Sequence, residues 1–467
     1  MTGRLSLFLA FAALGLGNVP AGAQEPPPAG PLSPDDAVRI ALDRNHAIAI
    51  AQGSAAAARG RALSSYSGVL PRVDASATVS HESFTGTRFS EQSAIPGAVR
   101  GTTLSDASGV DLSLNQSLFS WSNIQDIKSA KAGARASGEL AQAEKLDVAL
   151  ATRVQYYELY KAERLRAVRE EGVTLAQDQL ERAETLFELG SVARNDVLQA
   201  RVNLQQARLA EISARNAVEV QRARLAQILG LSVVTPLEIA TTIPAPGALA
   251  AEVDSAAIYR EALAERPDLE AARESVNSAR AQLGSAKGDY YPELFGRVNW
   301  FWTWRQGIDR VTVDEDPAEP PPPQIFELDN DNEGWSAAAG VQLNIFDGLL
   351  REGQVNTAKG SLASERSRLF QSELAVQVEV KEAILGVREA NQSIAAAQEG
   401  VTLAEENLKL AQERYQVGSG TILELNEAQV SLTESRSALV DAEAALRVAE
   451  ARLDRSRGGG IPPGSES

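Results

Sequence analysis

The chain has 467 residues, 23% of them charged and only 5% aromatic, and Ala, Leu, Glu, Gln and Arg dominate it, a composition of long helices and coiled coils rather than of a compact aromatic core. Asp and Glu outnumber Lys and Arg by 62 to 45, so the net charge of −17 gives phosphate no basic footprint and excludes a nucleic-acid partner. There is no cysteine, which excludes disulfides, thiolate metal sites, a cysteine nucleophile and a lipidated leading cysteine; with only His46 and His81 available, neither a metal nor another cofactor is expected.

Residues 1–23 read as an export leader: Arg4 gives a positive start, Leu5 to Leu16 an apolar run, and Ala21-Gly22-Ala23 a small-residue cleavage site. A Pro-rich linker, 24–33, follows. The first helix opens at Ser33-Pro34-Asp35-Asp36, an N-cap Ser, then Pro, then acids at the positive end of the dipole, and is expected to run to about Leu70 before Pro71. Val73, Ala75, Ala77 and Val79 alternate with polar residues as a strand, and Val110, Leu112 and Leu114 form the returning one. Residues 85–106 are expected to be the connection between them. From Trp121 to Leu189 there is no Pro, which allows one helix of roughly 100 Å. It turns at Gly190 into a second helix.

The order then repeats. Glu171-Gly172-Val173-Thr174-Leu175-Ala176 recurs as Glu399-Gly400-Val401-Thr402-Leu403-Ala404, an offset of 228, and Leu189-Gly190-Ser191 meets Val417-Gly418-Ser419. Upstream the offset is 221, where Ala41-Leu42 matches Ala262-Leu263 and Pro71 matches Pro292. The difference is an insertion around Asp314 to Pro323. Two repeats are therefore expected, 34–247 and 248–457, with a flexible tail at 458–467. In the second, Leu294, Val298, Trp300, Trp302 and Trp304 mark one strand, and Trp335, Ala337, Ala339, Val341, Leu343 and Ile345 the other, with 305–332 as the connection. Each strand is expected to be about 10 to 12 residues, the length that crosses an outer membrane at a tilt. All five tryptophans, Trp121, Trp300, Trp302, Trp304 and Trp335, sit in or beside these strands, as interfacial aromatics do.

The last helix carries Leu425, Leu432, Leu439, Leu446 and Leu453 at sevens, with Ala428, Ser435, Ala442 and Ala449 three residues on: a coiled-coil seam. Val197, Leu204, Glu211, Val218 and Leu225 repeat it less strictly. Short turns at Gly190 and Gly418 make the seams antiparallel. Four strands cannot close a barrel, and an open edge cannot exist in lipid. The chain is thus expected to oligomerise, several copies sharing one barrel below which long helices extend.

Leu32 to Asn45, with Leu189-Gly190-Ser191-Val192-Ala193-Arg194-Asn195-Asp196-Val197 and Val417-Gly418-Ser419-Gly420-Thr421-Ile422-Leu423-Glu424-Leu425, resembles the opening helix and two tip turns of the TolC-type outer-membrane efflux proteins, over residues 32 to 457. The resemblance implies a mainly α fold with β, a homotrimer with a twelve-stranded barrel in outer-membrane lipid, and a helical barrel across the periplasm. It implies a periplasmic adaptor, meeting the tip turns Gly190, Ser191, Val192, Gly418, Ser419 and Gly420, and an inner-membrane efflux or ABC-type pump. It places Glu424 and Glu427 at a pore constriction, with Tyr415 and Asp196 at the gated aperture. In the family an Arg of the second turn ties the closed aperture to the Asp of the first; here that position is Gly420, while Arg194 lies on the other turn.

The function so implied is a passive exit duct of an efflux or type I secretion system. No Gly-rich phosphate loop precedes a helix, and neither histidine has a triad motif, so an enzyme is not expected. The competing reading is a periplasm-spanning spacer or adaptor without a pore.

Overall fold

The computed structural model describes residues 30–89, 98–240, 255–313 and 324–462. The leader, most of the Pro-rich linker, the repeat boundary at 247/248, the insertion at 314–323 and residues 463–467 lie outside the described residues. The element order is α1 (Pro34–Arg44), α2 (His46–Ser64), β1 (Arg72–Phe89), β2 (Ala98–Phe119), α3 (Trp121–Glu188) and α4 (Arg194–Ile228), then α5 (Ser255–Glu265), α6 (Pro267–Gly288), β3 (Glu293–Val313), β4 (Gln324–Gln342), α7 (Leu350–Gln416) and α8 (Ile422–Ser456).

The opening helix is capped as expected, Ser33 and Asp36 forming a reciprocal capping box. It does not run unbroken to Leu70. Asn45 leaves helical geometry at ψ 129°; its Oδ1 accepts from the Ala47 amide at 2.8 Å, starting α2, and its Nδ2 donates to the Ile228 carbonyl at 2.8 Å, tying the break to the end of α4. At the matching break of the second repeat, 221 residues on, stands Arg266. It donates to the Ser456 carbonyl, and 228 + 228 = 456, so the same joint is tied at the same place. A second joint is also written twice. Asn123, in the first turn of α3, donates to the Gly68 carbonyl at 2.6 Å. Arg351, at 123 + 228, donates to the Asp289 carbonyl, at 68 + 221. In both places the first repeat uses a neutral amide and the second a guanidinium with carboxylate partners.

The strands form one antiparallel meander, β1-β2-β3-β4. They are 18 to 22 residues long, not 10 to 12, and continue through most of the expected connections, leaving only 90–97 and 314–323 undescribed; the fourth ends at Gln342, before Leu343 and Ile345. The alternating apolar segment marks only the half of each strand next to the helices. There the register places Val73, Ala75, Ala77 and Val79 beside Leu114, Leu112, Val110 and Ser108, then Val298, Trp300, Trp302 and Trp304, then Ala337, Trp335, Glu333 and Asp331. With Leu294 and Val341 below, this one-faced band runs from Leu294 to Trp304 of β3, about 33 Å of strand and about 25 Å of height at a barrel's tilt. Beyond it the alternation lapses: His81, Asp106, Gln306 and Asp329 share a face with Leu104 and Ile308, a mixture that the period within the band does not foretell. The opposite face carries Asp74, Ser76, Asp111, Ser113, Asn299, Thr303, Asn332 and Ser336.

Trp300 lies directly opposite Trp335 and donates from its indole to Glu333 at 3.2 Å, and with Trp302 and Trp304 these four tryptophans occupy the upper half of the band. Trp121 is the first residue of α3, not a strand residue. Its ring is 6.1 Å from that of Tyr291, and with Tyr290 these rings mark the lower margin.

At 68 and 67 residues α3 and α7 each span about 100 Å. Leu425, Leu432, Leu446 and Leu453 are buried on α8, while Leu439 is half-buried and Val440 takes its place. Leu446 and Leu453 then resume the original spacing, so the shift is local. On α4, Val197, Leu204, Val218 and Leu225 are buried and Glu211 is half-buried between them. Below the sheet, Leu32 forms a parallel bridge with Ile239 and accepts from the Tyr156 hydroxyl at 2.8 Å, closing a core of Tyr156, Leu159, Val218, Leu225 and Leu229. Among the described residues no helix is long and apolar enough to cross a membrane.

Candidate functional site

The helical ends farthest from the sheet hold the tip turns. Each is a Schellman turn with glycine in the left-handed region, Gly190 at φ 75° and Gly418 at φ 72°. Ser191 donates to the Leu186 carbonyl at 2.8 Å, and Ser419 to the Arg414 carbonyl at 2.9 Å. Gly230 and Gly458, also 228 apart, close the other ends of α4 and α8 in the same conformation. The two tips differ at the next helix start. Thr421 caps α8 by accepting from the Glu424 amide at 3.2 Å, whereas Ala193, its counterpart, gives α4 no side-chain cap.

The second turn is drawn tight. Both Ser419 and Gly420 donate to the Arg414 carbonyl at 2.9 Å, and a Cβ on Gly420 would stand 3.0 Å from that of Arg414 and 3.1 Å from the Tyr415 nitrogen. A long side chain at 420 would displace the turn. The guanidinium of this turn comes instead from Arg414, which pairs with Glu424 at 3.2 Å and donates to the Ser419 carbonyl at 3.4 Å. Sequence reasoning passed over Arg414 because it sought a cation inside the turn, not one helical residue before Tyr415.

Glu424 and Glu427 thus have different surroundings. Glu424 is half-buried against Arg414. Glu427 is exposed and lines a groove of about 600 Å³ between α8 and the α3–α4 hairpin, with Arg169, Gln199, Asn203 and Gln206. Tyr415 is buried, 7% exposed, against Leu408, Ile422 and Leu425, with Leu186 and Val192 of the first tip packed on the same cluster. Its hydroxyl has no hydrogen-bond partner among the described residues. Burial, and after it the charge of Asp196, push the phenol above its ordinary range. Tyr415 thus lies within electrostatic reach of Asp196 of the other hairpin. Gly190, Ser191, Gly418 and Ser419 are exposed at the end of the molecule.

Two further ties between the hairpins were not read from the sequence. Gln179 of α3 donates to Asn426 of α8 at 2.6 Å, and both are buried. Arg436 of α8 holds Glu171 of α3 at 2.6 Å and Glu405 of α7 at 2.9 Å. Asn426 follows the seam residue Leu425 and is off the seam itself, and its partner lies 247 residues away, so the sequence offered no signal for it. Among the described residues no group of His, Asp and Glu could hold a metal ion. His81 faces its cross-strand neighbour Asp106 at 2.6 Å, and His46 opens α2.

The family profile described as outer membrane efflux protein matches residues 37–231 and 258–459, two stretches whose starts are 258 − 37 = 221 apart and whose ends are 459 − 231 = 228 apart. The chain is 26% identical over 237 residues to protein CyaE of Bordetella pertussis, covering 50% of this chain and 45% of that protein. It is 34% identical over 143 residues to the alkaline protease secretion protein AprF of Pseudomonas aeruginosa, 26% of this chain and 28% of the relative. The chain thus aligns with less than half the length of these curated relatives. Among solved structures, the outer membrane protein VceC of Vibrio cholerae superposes with a TM-score of 0.73 at 18% identity, covering 92% of this chain and 97% of that one. The outer-membrane channel OprN gives 0.74 at 18% identity, covering 92% and 91%. At such identities the likeness is one of fold.

Proposed function

The chain belongs to the outer membrane efflux protein family, and from that premise we propose that it is a passive exit duct, trimeric, conducting cargo across the outer membrane from an inner-membrane pump and a periplasmic adaptor. The observation that carries this reading is the sheet. It has an apolar face with aromatic margins, a polar opposite face, and two unpaired edges, β1 and β4. Such edges are satisfied in lipid only by closure, and three copies of four strands give a twelve-stranded barrel whose polar face lines the lumen. The helices support the same closure. Within a protomer α3 packs on α4 and α8, and α8 on α7, so α4 and α7 are the outer pair at the tips. Near the tips both carry exposed apolar residues at matching heights, Leu198, Val202 and Leu209 on α4 and Leu403 and Leu410 on α7, suited to meeting each other between copies. Efflux and type I secretion both fit; AprF is named for protease secretion, and a second relative, BepC of Brucella suis, for efflux.

Purified protein in detergent should run as about three protomers and form ion-conducting pores in a planar bilayer. A folded detergent-stable monomer would sink the trimer, and an assembled protein that never conducts would favour the spacer reading.

The constriction is proposed at the tips, where Gly190, Ser191, Val192, Gly418, Ser419 and Gly420 meet the adaptor, Tyr415 and Asp196 bear on gating, and Glu424 and Glu427 place six carboxylates around a threefold axis. Replacing both glutamates with alanine should reduce the cation-over-anion permeability ratio roughly threefold or more and weaken block by multivalent cations, with trimer yield unchanged. Wild-type selectivity in the double variant would remove the ring. The Arg414 pairing adds a second expectation: Glu427→Ala alone should reduce selectivity more than Glu424→Ala alone, whose charge is already countered.

A further inference from the structure

Two aromatic side chains of β3 interrupt the polar face of the sheet at the level of the band. Phe301 and Phe295 lie on β3, on the face that carries Asn299, Thr303, Asp111 and Ser113. Each is paired across to a glycine of β4, Phe301 with Gly334 and Phe295 with Gly340. Each ring leans across the sheet so that its tip takes the space over its glycine. A Cβ built on Gly334 would stand 2.8 Å from Cζ and 3.0 Å from Cε1 of Phe301; one on Gly340 would stand 2.8 Å from Cζ and 3.1 Å from Cε1 of Phe295. Two such pairs, six residues and about 20 Å apart along one strand, are a repeated arrangement.

We infer that Gly334 and Gly340 are slots that hold the rings of Phe301 and Phe295 flush with the inner wall, and that these pairs set the free bore of the barrel. The inference rests on the duct reading, since it takes the polar face to be the lumen. A methyl group at 334 cannot share its position with the ring. The ring is the free end of a side chain with a second staggered rotamer available, so it is the ring that moves. The wall occupies the slot side, which leaves the lumen. Threefold symmetry would bring three rings inward at one level. Cover of glycine by an aromatic also protects sheet hydrogen bonds, but that role alone predicts no change in access along the bore.

The absence of native cysteine makes the test clean. Asn299→Cys lies on the periplasmic side of Phe301 and Thr303→Cys on the hairpin side, both on the inner face. A membrane-impermeant maleimide applied to intact cells should label both. With Gly334→Ala added, labelling at 299 should slow at least about threefold while labelling at 303 holds, and adding Phe301→Ala should restore the rate at 299. An unchanged rate at 299, or slowing that Phe301→Ala does not relieve, overturns the inference. Phe301→Ala alone decides it even if Gly334→Ala fails to assemble: a flush ring predicts an unchanged rate at 299, and acceleration there means the ring already stood in the lumen. No labelling of Thr303→Cys in the otherwise wild-type protein would overturn the duct reading itself, and this inference with it.

Discussion

Arg351→Ala is expected to lower stability by about 3–5 kcal/mol, enough to lose most of the assembled protein, because it removes the cation from a buried pair and leaves Asp347 uncompensated. Both side chains are at most 10% exposed. Four guanidinium bonds converge here, from Nε to Asp347 at 2.8 Å, from Nη1 to the Asn344 and Asp289 carbonyls at 2.9 and 3.3 Å, and from Nη2 to the Ile345 carbonyl at 3.1 Å. The group also lies 4.8 Å over the Tyr290 ring. One side chain thus joins the end of α6, the end of β4 and the start of α7, beside Gly348 and Leu349, both with positive φ. Arg351→Lys should recover little, since an ammonium cannot reproduce the planar fork. Asp347→Asn combined with Arg351→Met should recover part of the loss, because the buried charge is then gone. Heat resistance of the detergent-solubilised assembly would report all three. An Arg351→Ala protein that melts with wild type would show the joint to be held by packing alone.

Arg266→Ala is the second large effect, about 3 kcal/mol at neutral pH, and it carries a pH signature. Arg266 is 4% exposed and holds Asp268 at 2.7 Å and Glu379 at 2.7 Å. Burial raises the Asp268 carboxyl, but the hydrogen bonds and charge of Arg266 outweigh it and leave the group below its ordinary value. A carboxyl depressed in the folded state stabilises fully above its unfolded value, near 3.9, and the contribution is lost as pH falls through the folded value. Melting temperatures of wild type and Arg266→Ala should therefore lie furthest apart near neutrality and converge on acidification. A gap that stays constant from neutral pH down past the unfolded value would refute the assignment. Asn45→Ala, at the same joint of the first repeat, should cost only about 1–2 kcal/mol and show no such convergence, since an amide cap and one hydrogen bond are lost and no charge is exposed.

These joints also show what sequence could and could not disclose. The doubling was legible because Glu171–Ala176 and Glu399–Ala404 are the same letters, and the long helices because no Pro interrupts them. Asn45 and Arg266 occupy equivalent positions too, yet nothing in their letters matches. They do one job, donating into a helix-end carbonyl, with different chemistry. Strand length was underestimated because only the half next to the helices alternates cleanly; beyond it His81, Asp106, Gln306 and Asp329 stand on the face that carries Leu104 and Ile308, so the pattern vanishes where the strand does not. At the tips the glycines announced the turns. Arg414, Gln179 and Asn426 could not be read, since each takes its role from a partner set by packing, in two of the three cases on the far side of the duplication.

The uncapped start of α4 has a mechanical consequence. Thr421 secures the first turn of α8, while Ala193 leaves that of α4 without its side-chain bond, a difference of about 1 kcal/mol in the cost of unwinding one turn. The two hairpins of the chain therefore end in fingers of unequal stiffness, and the rim of the proposed trimer would alternate soft and hard. A load pressed on such a rim is taken up first by the three compliant fingers, which conform to whatever presses on them, while the three rigid ones keep the diameter of the mouth.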